Sequence, residues 1–242
     1  MQVRAREEDH PTELDDDSGP ARNAAVVDLE RVSVDVERTS VLRGLSLEVL
    51  AGECLGVVGA NGSGKSTLLS VIATLRPINA GSGTVLGVPL GSLAVRDVRR
   101  RISLVGHVPA LYPQLTLREN LRFVGRLLGR SDALVDEALG EVGLARAAHR
   151  TADRCSQGML RRADLARVLL TEPDLLLLDE VYSGLDVTAT GLVDGLISEV
   201  RRRAGAAVVV SHDMHRLDAV ADRTVRVVRG STLPATSLER PG

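Results

Sequence analysis

Apolar and polar residues alternate along this chain in short stretches that predict strands and helices in turn. Residues 25–36, AVVDLERVSVDV, alternate as in a half-buried strand, and residues 41–59 contain two further strands with a turn at Ala51-Gly52. Continuous apolar runs in CLGVVG, DLLLLDEV and AAVVVSHD are typical of strands buried on both faces. The segment RRRISLVGHV contains another apolar strand.

Segments with helical spacing separate most of these strands. They are KSTLLSVIATL at 65–75, most of residues 116–152, LRRADLARVLLTEP up to Pro173, and TGLVDGLISEVRRRA. Short hairpins are predicted in GSGTVLGVPLG and TVRVVRGST. Because strands and helices alternate and the strands are apolar, the sequence predicts an α/β fold with a mostly parallel sheet and helices on both of its faces.

One folded domain is predicted over residues 25–230, with a helical insertion at about 110–160. Residues 1–24 are polar and acidic and contain proline and glycine, so we expect a disordered N-terminal tail. Residues 231–242 are expected to form a short C-terminal tail. The first residues lack the apolar stretch of a secretory signal, and no apolar run reaches the length of a membrane span.

Composition narrows the classes of function. The formal net charge is -2, which gives no support to a general nucleic-acid binder. Only two tyrosines and one phenylalanine are present, too few for a surface on which bases stack, so we expect no nucleic-acid partner. The two cysteines, Cys54 and Cys155, are not in a metal-ligand spacing, and a reduced, cytoplasmic protein fits them best.

A glycine-rich loop between a strand and a helix carries the first candidate chemistry. The segment GANGSGKST satisfies the pattern G-x-x-x-x-G-K-[ST] through Gly59, Gly64, Lys65 and Ser66. Glycines let successive N–H groups face inward around an anion, and the helix N-terminus adds positive potential. We expect Lys65 to reach the β- and γ-phosphates of a nucleotide and Ser66 to offer its hydroxyl to Mg²⁺. The predicted nucleotide-binding residues are Gly59, Asn61, Gly62, Ser63, Gly64, Lys65, Ser66 and Thr67.

Polar residues follow two of the buried strands. Asp179 and Glu180 stand where DLLLLDEV leaves the core, and His212 follows the run VVVS. The carboxyl ends of parallel strands border the ligand crevice of such sheets. We therefore expect Asp179 to hold Mg²⁺, Glu180 to polarise the attacking water, and His212 to contact the γ-phosphate. Glu180 and His212 are the predicted catalytic residues.

In this order the motifs resemble those of ABC transporter ATP-binding subunits, over about residues 26–230. GANGSGKST resembles the Walker A loop, LLLLDE resembles Walker B with its catalytic glutamate, SGLD resembles the D-loop, and His212 matches the switch histidine. The segment CSQGM resembles the signature motif, which Ser156 and Gly158 match and Cys155, Gln157 and Met159 do not. The resemblance implies a P-loop NTPase of ABC type, with an antiparallel β subdomain beside the mostly parallel core sheet.

The resemblance also implies partners and further site residues. Two such domains pack head to tail, as a homodimer or heterodimer, and Ser156 and Gly158 would bind the γ-phosphate held by the opposite subunit. His107 stands near the position where the family usually has a glutamine close to Mg²⁺, so the resemblance makes it a metal-site residue. Val36 stands where the family usually has an aromatic residue that stacks on adenine. The helical insertion would contact an integral membrane permease subunit, which places the protein on the inner face of the cell membrane.

The segments GHVPALYPQLTLRENL and DEVYSGLD resemble exporter-type members, and little sequence follows His212. We therefore expect an ATPase that drives export. An importer subunit is the nearest alternative. A soluble ABC-type ATPase that acts on ribosomes or DNA, and a nucleotide-binding regulator without turnover, are alternatives from other classes.

Overall fold

The computed structural model describes residues 24–183 and 185–234, so residues 1–23 and 235–242 of the predicted tails, and Gly184, lie outside the described residues. The strands are β1 Ala25–Val36, β2 Thr39–Leu50, β3 Cys54–Val58, β4 Ala80–Val85, β5 Val88–Pro89, β6 Ile102–Val105, β7 Leu175–Asp179, β8 Ala206–Val210, β9 Arg223–Val228 and β10 Ser231–Pro234. The helices are α1 Lys65–Ile72, α2 Val95–Val98, α3 Leu117–Leu127, α4 Asp132–Glu141, α5 Gln157–Thr171, α6 Val187–Arg202 and α7 Met214–Val220.

The central sheet has six strands in the order β10-β9-β3-β8-β7-β6. All neighbours pair in parallel except β9 and β10, which form an antiparallel hairpin. Strands β3 and β8 are buried at every position, because helices and the second sheet cover both faces of the central sheet. The predicted parallel core is therefore confirmed.

The second sheet is antiparallel, with the order β2-β1-β4-β5. Its long strands alternate buried and exposed residues, and the buried valines and leucines join one apolar cluster with α1 and one face of the central sheet. A sheet that packs on one face only produces this alternation. The antiparallel β subdomain is also confirmed.

The predicted helical insertion contains α3 and α4, which pack against α5 around a separate apolar cluster. Thr116 begins α3 with a capping box, in which its hydroxyl accepts from the amide of Glu119 and the Glu119 carboxylate accepts from the amide of Thr116. The buried side chain of Asn120 bonds the backbone of Tyr112, Leu115 and Thr116 and thereby fixes the loop that enters this helix.

Two predicted boundaries differ from the structure. The first helix ends at Ile72 rather than near 75, because Thr74 adopts a φ of 58° and the amides of Leu75 and Arg76 both donate to Ser70 O. The predicted C-terminal tail begins too early at residue 231. Residues 231–234 instead form β10, whose Thr232 hydroxyl donates to Ser46 O of the second sheet.

No helix within the described ranges is long and apolar enough to cross a membrane.

Two leucines test how the core stabilises the domain. Leu177 on β7 is fully buried, whereas the Leu127 side chain at the end of α3 is mostly exposed. Leu177→Ala leaves a cavity in the central sheet and should lower the free energy of unfolding by about 2–5 kcal/mol. Leu127→Ala is the matched control and should change it by less than about 0.5 kcal/mol. Urea unfolding followed by circular dichroism measures both, and equal losses would contradict this description of the core.

Candidate functional site

The loop between β3 and α1 curls because several of its residues adopt backbone angles that favour glycine. Gly59 has a φ of 155° and Gly64 a φ of 111°. A Cβ atom at Gly59 would lie 2.4 Å from Val227 O, so a side chain there would collide with β9. Gly64 caps α1 without any side-chain hydrogen bond. The amide groups at the start of α1 are therefore available to an anion.

Lys65 is a buried cation inside this loop. Its side-chain ammonium donates to Gly59 O at 2.7 Å and to Ala60 O at 3.0 Å. The residue is only 8% exposed, and it makes no ion pair with any acidic side chain of the described residues. An ammonium has three protons, so one remains for a further acceptor. A buried charge without a counter-ion is costly, which makes an anionic ligand at this position favourable.

The acidic residues lie beside the loop because β7 and β8 are parallel neighbours. Glu180 follows β7 with a φ of 52°, and its amide donates to Val210 O at 2.9 Å. Its carboxylate accepts from the backbone amide of His212 at 3.3 Å. This pairing holds the carboxylate of Glu180 and the ring of His212 at the same edge of the sheet.

His212 and Glu180 also approach through their side chains. The Nε2 atom of His212 lies 3.1 Å from Glu180 Oε1 and 3.1 Å from Asn61 Oδ1. Only the contact with Asn61 has the geometry of a hydrogen bond, and Oε1 of Glu180 is a buried oxygen without a hydrogen-bond partner in the described structure. A buried oxygen of this kind needs a water or a cation to satisfy it.

These groups surround one open cavity of about 460 Å³. Its walls contain ten of the predicted residues, Asn61, Gly62, Gly64, Lys65, Ser66, Thr67, His107, Asp179, Glu180 and His212, together with Val41. The volume is within the range of small-molecule sites. The structure thus brings the glycine loop, the acidic strand end and both histidines to the same place.

The other predicted residues lie elsewhere. Gly59 and Ser63 form the base of the loop, where Ser63 is buried. Val36, the expected adenine contact, is half-buried at the end of β1 against the edge of the apolar cluster, and Val41 lines the cavity in its place. Ser156 and Gly158 begin α5 outside the cavity wall, and the exposed Ser156 hydroxyl accepts from the amide of Met159 at 3.3 Å.

The donor set suits a divalent cation only in part. Ser66, Asp179 and His107 line the cavity, but no three His, Cys, Asp or Glu side chains within residues 24–183 and 185–234 converge into a complete metal site. Mg²⁺ is typically held by one or two protein groups together with substrate phosphates and waters. The residues present therefore fit Mg²⁺ that arrives with a nucleotide phosphate.

Sequence reasoning did not find three features of this region. These are the wall residue Val41, the contact between Asn61 and His212, and the hydrogen bonds by which Arg161 on α5 holds the backbone of His107. Each one joins segments that are far apart in the chain. A local pattern of residue types contains no signal for such contacts.

Comparison with known proteins identifies the family of this chain. Residues 42–183 match the protein family described as ABC transporter. Similar proteins include an aliphatic sulfonates import ATP-binding protein of Burkholderia cenocepacia, 38% identical over 77% of this chain and 67% of the relative. A Nod factor export ATP-binding protein I of Rhizobium meliloti is 35% identical over 89% of this chain and 68% of the relative.

Solved structures share the fold. An ATP-binding subunit of an ABC transporter superposes with a TM-score of 0.78 at 25% identity, covering 86% of this chain and 90% of the other. A dimeric ATP-binding cassette in a post-hydrolysis state with ADP and Pi gives a TM-score of 0.77 at 24% identity. The chain belongs to the ABC transporter family. It is an ABC transporter ATP-binding subunit and an ATPase, which confirms the resemblance.

Lys65 provides a direct test of the phosphate site, because it is the only lysine in the sequence. Lys65→Ala removes the buried ammonium and should weaken ATP binding by about 2–5 kcal/mol. Calorimetry measures the affinity, and a circular dichroism melt checks that the variant is folded. Arg76→Ala, an arginine beyond α1 that does not line the cavity, is the control.

The same residue allows a second measurement on the unmodified sequence. Reductive ¹³C-methylation labels amines, so Lys65 should give the one side-chain signal of the chain. ATP should shift that signal. Unchanged affinity in Lys65→Ala, together with a signal that ATP does not move, would contradict the phosphate site.

Proposed function

We propose that this subunit drives export through a separate membrane permease, in a head-to-tail dimer that encloses two ATP molecules. The observation that carries the proposal is the division of the site. The phosphate loop, Glu180 and His212 surround one cavity, whereas Ser156 lies at an exposed helix end outside it. A second subunit that presents Ser156 to this cavity would complete the site.

Different side chains of one subunit bind the phosphates of ATP, activate the attacking water and contact the γ-phosphate. The loop amides and Lys65 bind the β- and γ-phosphates, where the buried ammonium gains the counter-ion that it lacks in the chain alone. Glu180 accepts a proton from the attacking water and orients it toward the γ-phosphorus. His212, which hydrogen-bonds Asn61, is placed to contact the γ-phosphate oxygens. Thr67 reaches the α-phosphate side.

Ser66, Asp179 and His107 would hold Mg²⁺ at the cavity edge. When bound, the cation neutralises phosphate charge that develops during transfer. The nucleotide base has a weaker site, because Val41 lines the cavity with an aliphatic side chain and no tyrosine or phenylalanine of the described residues does so. We therefore infer low selectivity for the purine.

The second subunit would add the donors of its α5. Ser156 and Gly158 begin this 15-residue helix, so a γ-phosphate that meets them lies at the positive end of the helix dipole. Hydrolysis transfers the γ-phosphoryl group to water, and departure of the resulting phosphate removes the charge that both subunits share across the interface. Loss of that charge loosens the dimer.

The helical insertion is the surface for the permease. Tyr112, Phe123 and Leu127 are exposed apolar side chains on or beside α3, and the rings of Tyr112 and Phe123 pack edge to face. Exposed apolar groups close together favour a protein partner. Contact with a permease would hold the chain on the inner face of the cell membrane.

Glu180→Gln tests the dimer and the catalytic role together. The amide keeps the shape of the carboxylate but cannot accept the proton of water, so ATP should bind and hydrolysis should nearly stop. Because hydrolysis opens the sandwich, the variant should become dimeric when MgATP is added. Light scattering after size-exclusion chromatography measures its mass.

The control adds a second change. Ser156→Arg places a bulky charged side chain at the exposed start of α5, so Glu180→Gln with Ser156→Arg should bind ATP and remain monomeric. A single variant that hydrolyses ATP at the wild-type rate contradicts the role of Glu180. A double variant that still dimerises contradicts the head-to-tail arrangement.

We infer export from the resemblance of the segments GHVPALYPQLTLRENL and DEVYSGLD to exporter-type members, since the relatives include both import and export proteins. Deletion of the gene should make one compound accumulate in cells and disappear from the medium. Mass spectrometry of both fractions measures this change. The wild-type gene should reverse it and Glu180→Gln should not. Accumulation in the medium instead would assign import.

A further inference from the structure

A cluster of charged side chains lies inside the protein between α5 and the segment that follows β6. Asp164 is fully buried, Arg161 is 7% exposed, and the side chain of Arg167 is 15% exposed. Arg167 Nε donates to Asp164 Oδ1 at 3.0 Å, and Asp164 Oδ2 has no hydrogen-bond partner among the described residues. Buried charges are costly, so such a cluster needs a reason beyond packing.

The two arginines hold the backbone that leads to His107. Arg161 donates to Gly106 O through Nη1 and to His107 O through Nη2, the latter at 3.0 Å. Arg167 donates to Leu104 O through Nη2 at 2.8 Å. Two guanidinium groups of one helix therefore bind three carbonyl groups along a four-residue segment. His107 carries its side chain into the cavity wall from the last of these residues.

Asp164 supplies a buried negative charge that binds the Arg167 guanidinium directly. Burial raises the pKa of the Asp164 carboxyl, and the charges of Arg167 and Arg161 act against that rise. Burial lowers the pKa of the Arg161 guanidinium, and Asp164 and then Asp179 act against that fall. The position of Arg161 itself is fixed by its hydrogen bonds to the carbonyl groups of Gly106 and His107.

We propose that Asp164 is a positioning residue for ATP hydrolysis: its buried carboxylate binds Arg167, and Arg167 together with Arg161 holds the backbone segment that ends at His107. This inference rests on the proposed role of His107 in the site. Asp164, Arg161 and Arg167 are not among the residues that line the nucleotide cavity. Their effect therefore passes through the backbone of residues 104–107.

A fluorescent reporter tests the positioning without any need for hydrolysis. The sequence contains no tryptophan, and Val108, next to His107, is 76% exposed, so Val108→Trp gives a single emission from this segment. In this background Asp164→Asn and Arg161→Met should increase the fast component of the anisotropy decay. Arg161→Lys, which still donates to a carbonyl, should restore part of the wild-type decay.

Arg130→Met is the matched control. Arg130 also donates to a backbone carbonyl of α5, Leu170 O, and it pairs with Glu172, but it makes no hydrogen bond to residues 104–107 in the described structure. The control should leave the reporter anisotropy unchanged. If Asp164→Asn does not fold, as a circular dichroism melt would show, Arg161→Met and Arg161→Lys decide the same question.

Steady-state kinetics test the consequence for the reaction. Asp164→Asn should lower kcat by about tenfold or more, as do losses of other groups that orient a metal or its ligands. KM for ATP should change little, because Lys65 and the glycine loop are untouched. In a His107→Ala background the same substitution should cause no further loss, since both changes act through one residue.

The results distinguish the positioning role of Asp164 from the proposed role of His107. An unchanged reporter in both Asp164→Asn and Arg161→Met overturns the positioning role, and so do losses of kcat that multiply between Asp164→Asn and His107→Ala. If wild-type protein binds ATP but His107→Ala hydrolyses it normally, the proposed role of His107 is wrong. The reporter then still shows whether Asp164 orders the segment.

Discussion

The site depends on the parallel pairing of three adjacent strands. β3, β8 and β7 run side by side, so the residues that follow each of them meet at one edge of the sheet. The glycine loop, His212 and Glu180 leave these three strands in that order across the edge. A one-residue slip of β7 would turn the carboxylates away from the loop and bury polar groups in the core. The buried apolar faces of the strands oppose such a slip, so the same side chains that stabilise the core also fix the distances in the site.

The glycine loop keeps the conformation of an anion-binding site when no anion is bound. Lys65 satisfies two of its donors with carbonyl groups of its own loop, which keeps the ammonium inside the curl when no anion is bound. The loop is in turn attached to the rest of the protein, since Gly230 N donates to Ser63 O and Arg43 N donates to Gly230 O. The second sheet, the β9–β10 turn and the phosphate loop therefore form one connected backbone network. Binding an anion requires little rearrangement of such a loop.

Features that depend on local sequence could be predicted, and features that depend on tertiary contacts could not. The loop around Lys65 is recognised by its residue types and their spacing, and the strand before Asp179 by its continuous apolar run. These local signals indicate both the structure and the chemistry of the two segments. Val36 was chosen by its place in the family pattern, whereas Val41 lines the cavity because Gly64 packs against it across the domain. The last strand was missed in part, because its pairing with β9 and the hydrogen bond from Thr232 to the second sheet are not visible in a run of mixed polar residues. Single-sequence patterns report neighbours along the chain, and these errors all concern neighbours across it.

The buried charges on α5 are another feature that the sequence does not reveal, because their energetic role depends on tertiary contacts. In the sequence, Arg161 and Asp164 read as ordinary polar residues of a helix, and exposed arginine–carboxylate pairs contribute little to stability. In the folded chain Asp164 is fully buried beside two arginines that bind carbonyl groups of another segment. Replacing such a group by apolar residues of similar volume is often neutral or stabilising, so stability alone is a weak explanation for its presence. A guanidinium has several donors in a rigid planar fork and can fix two carbonyl groups at once, which an apolar side chain cannot do. Orientation of the backbone at His107 is therefore the property that this cluster provides and a better-packed apolar core would lose.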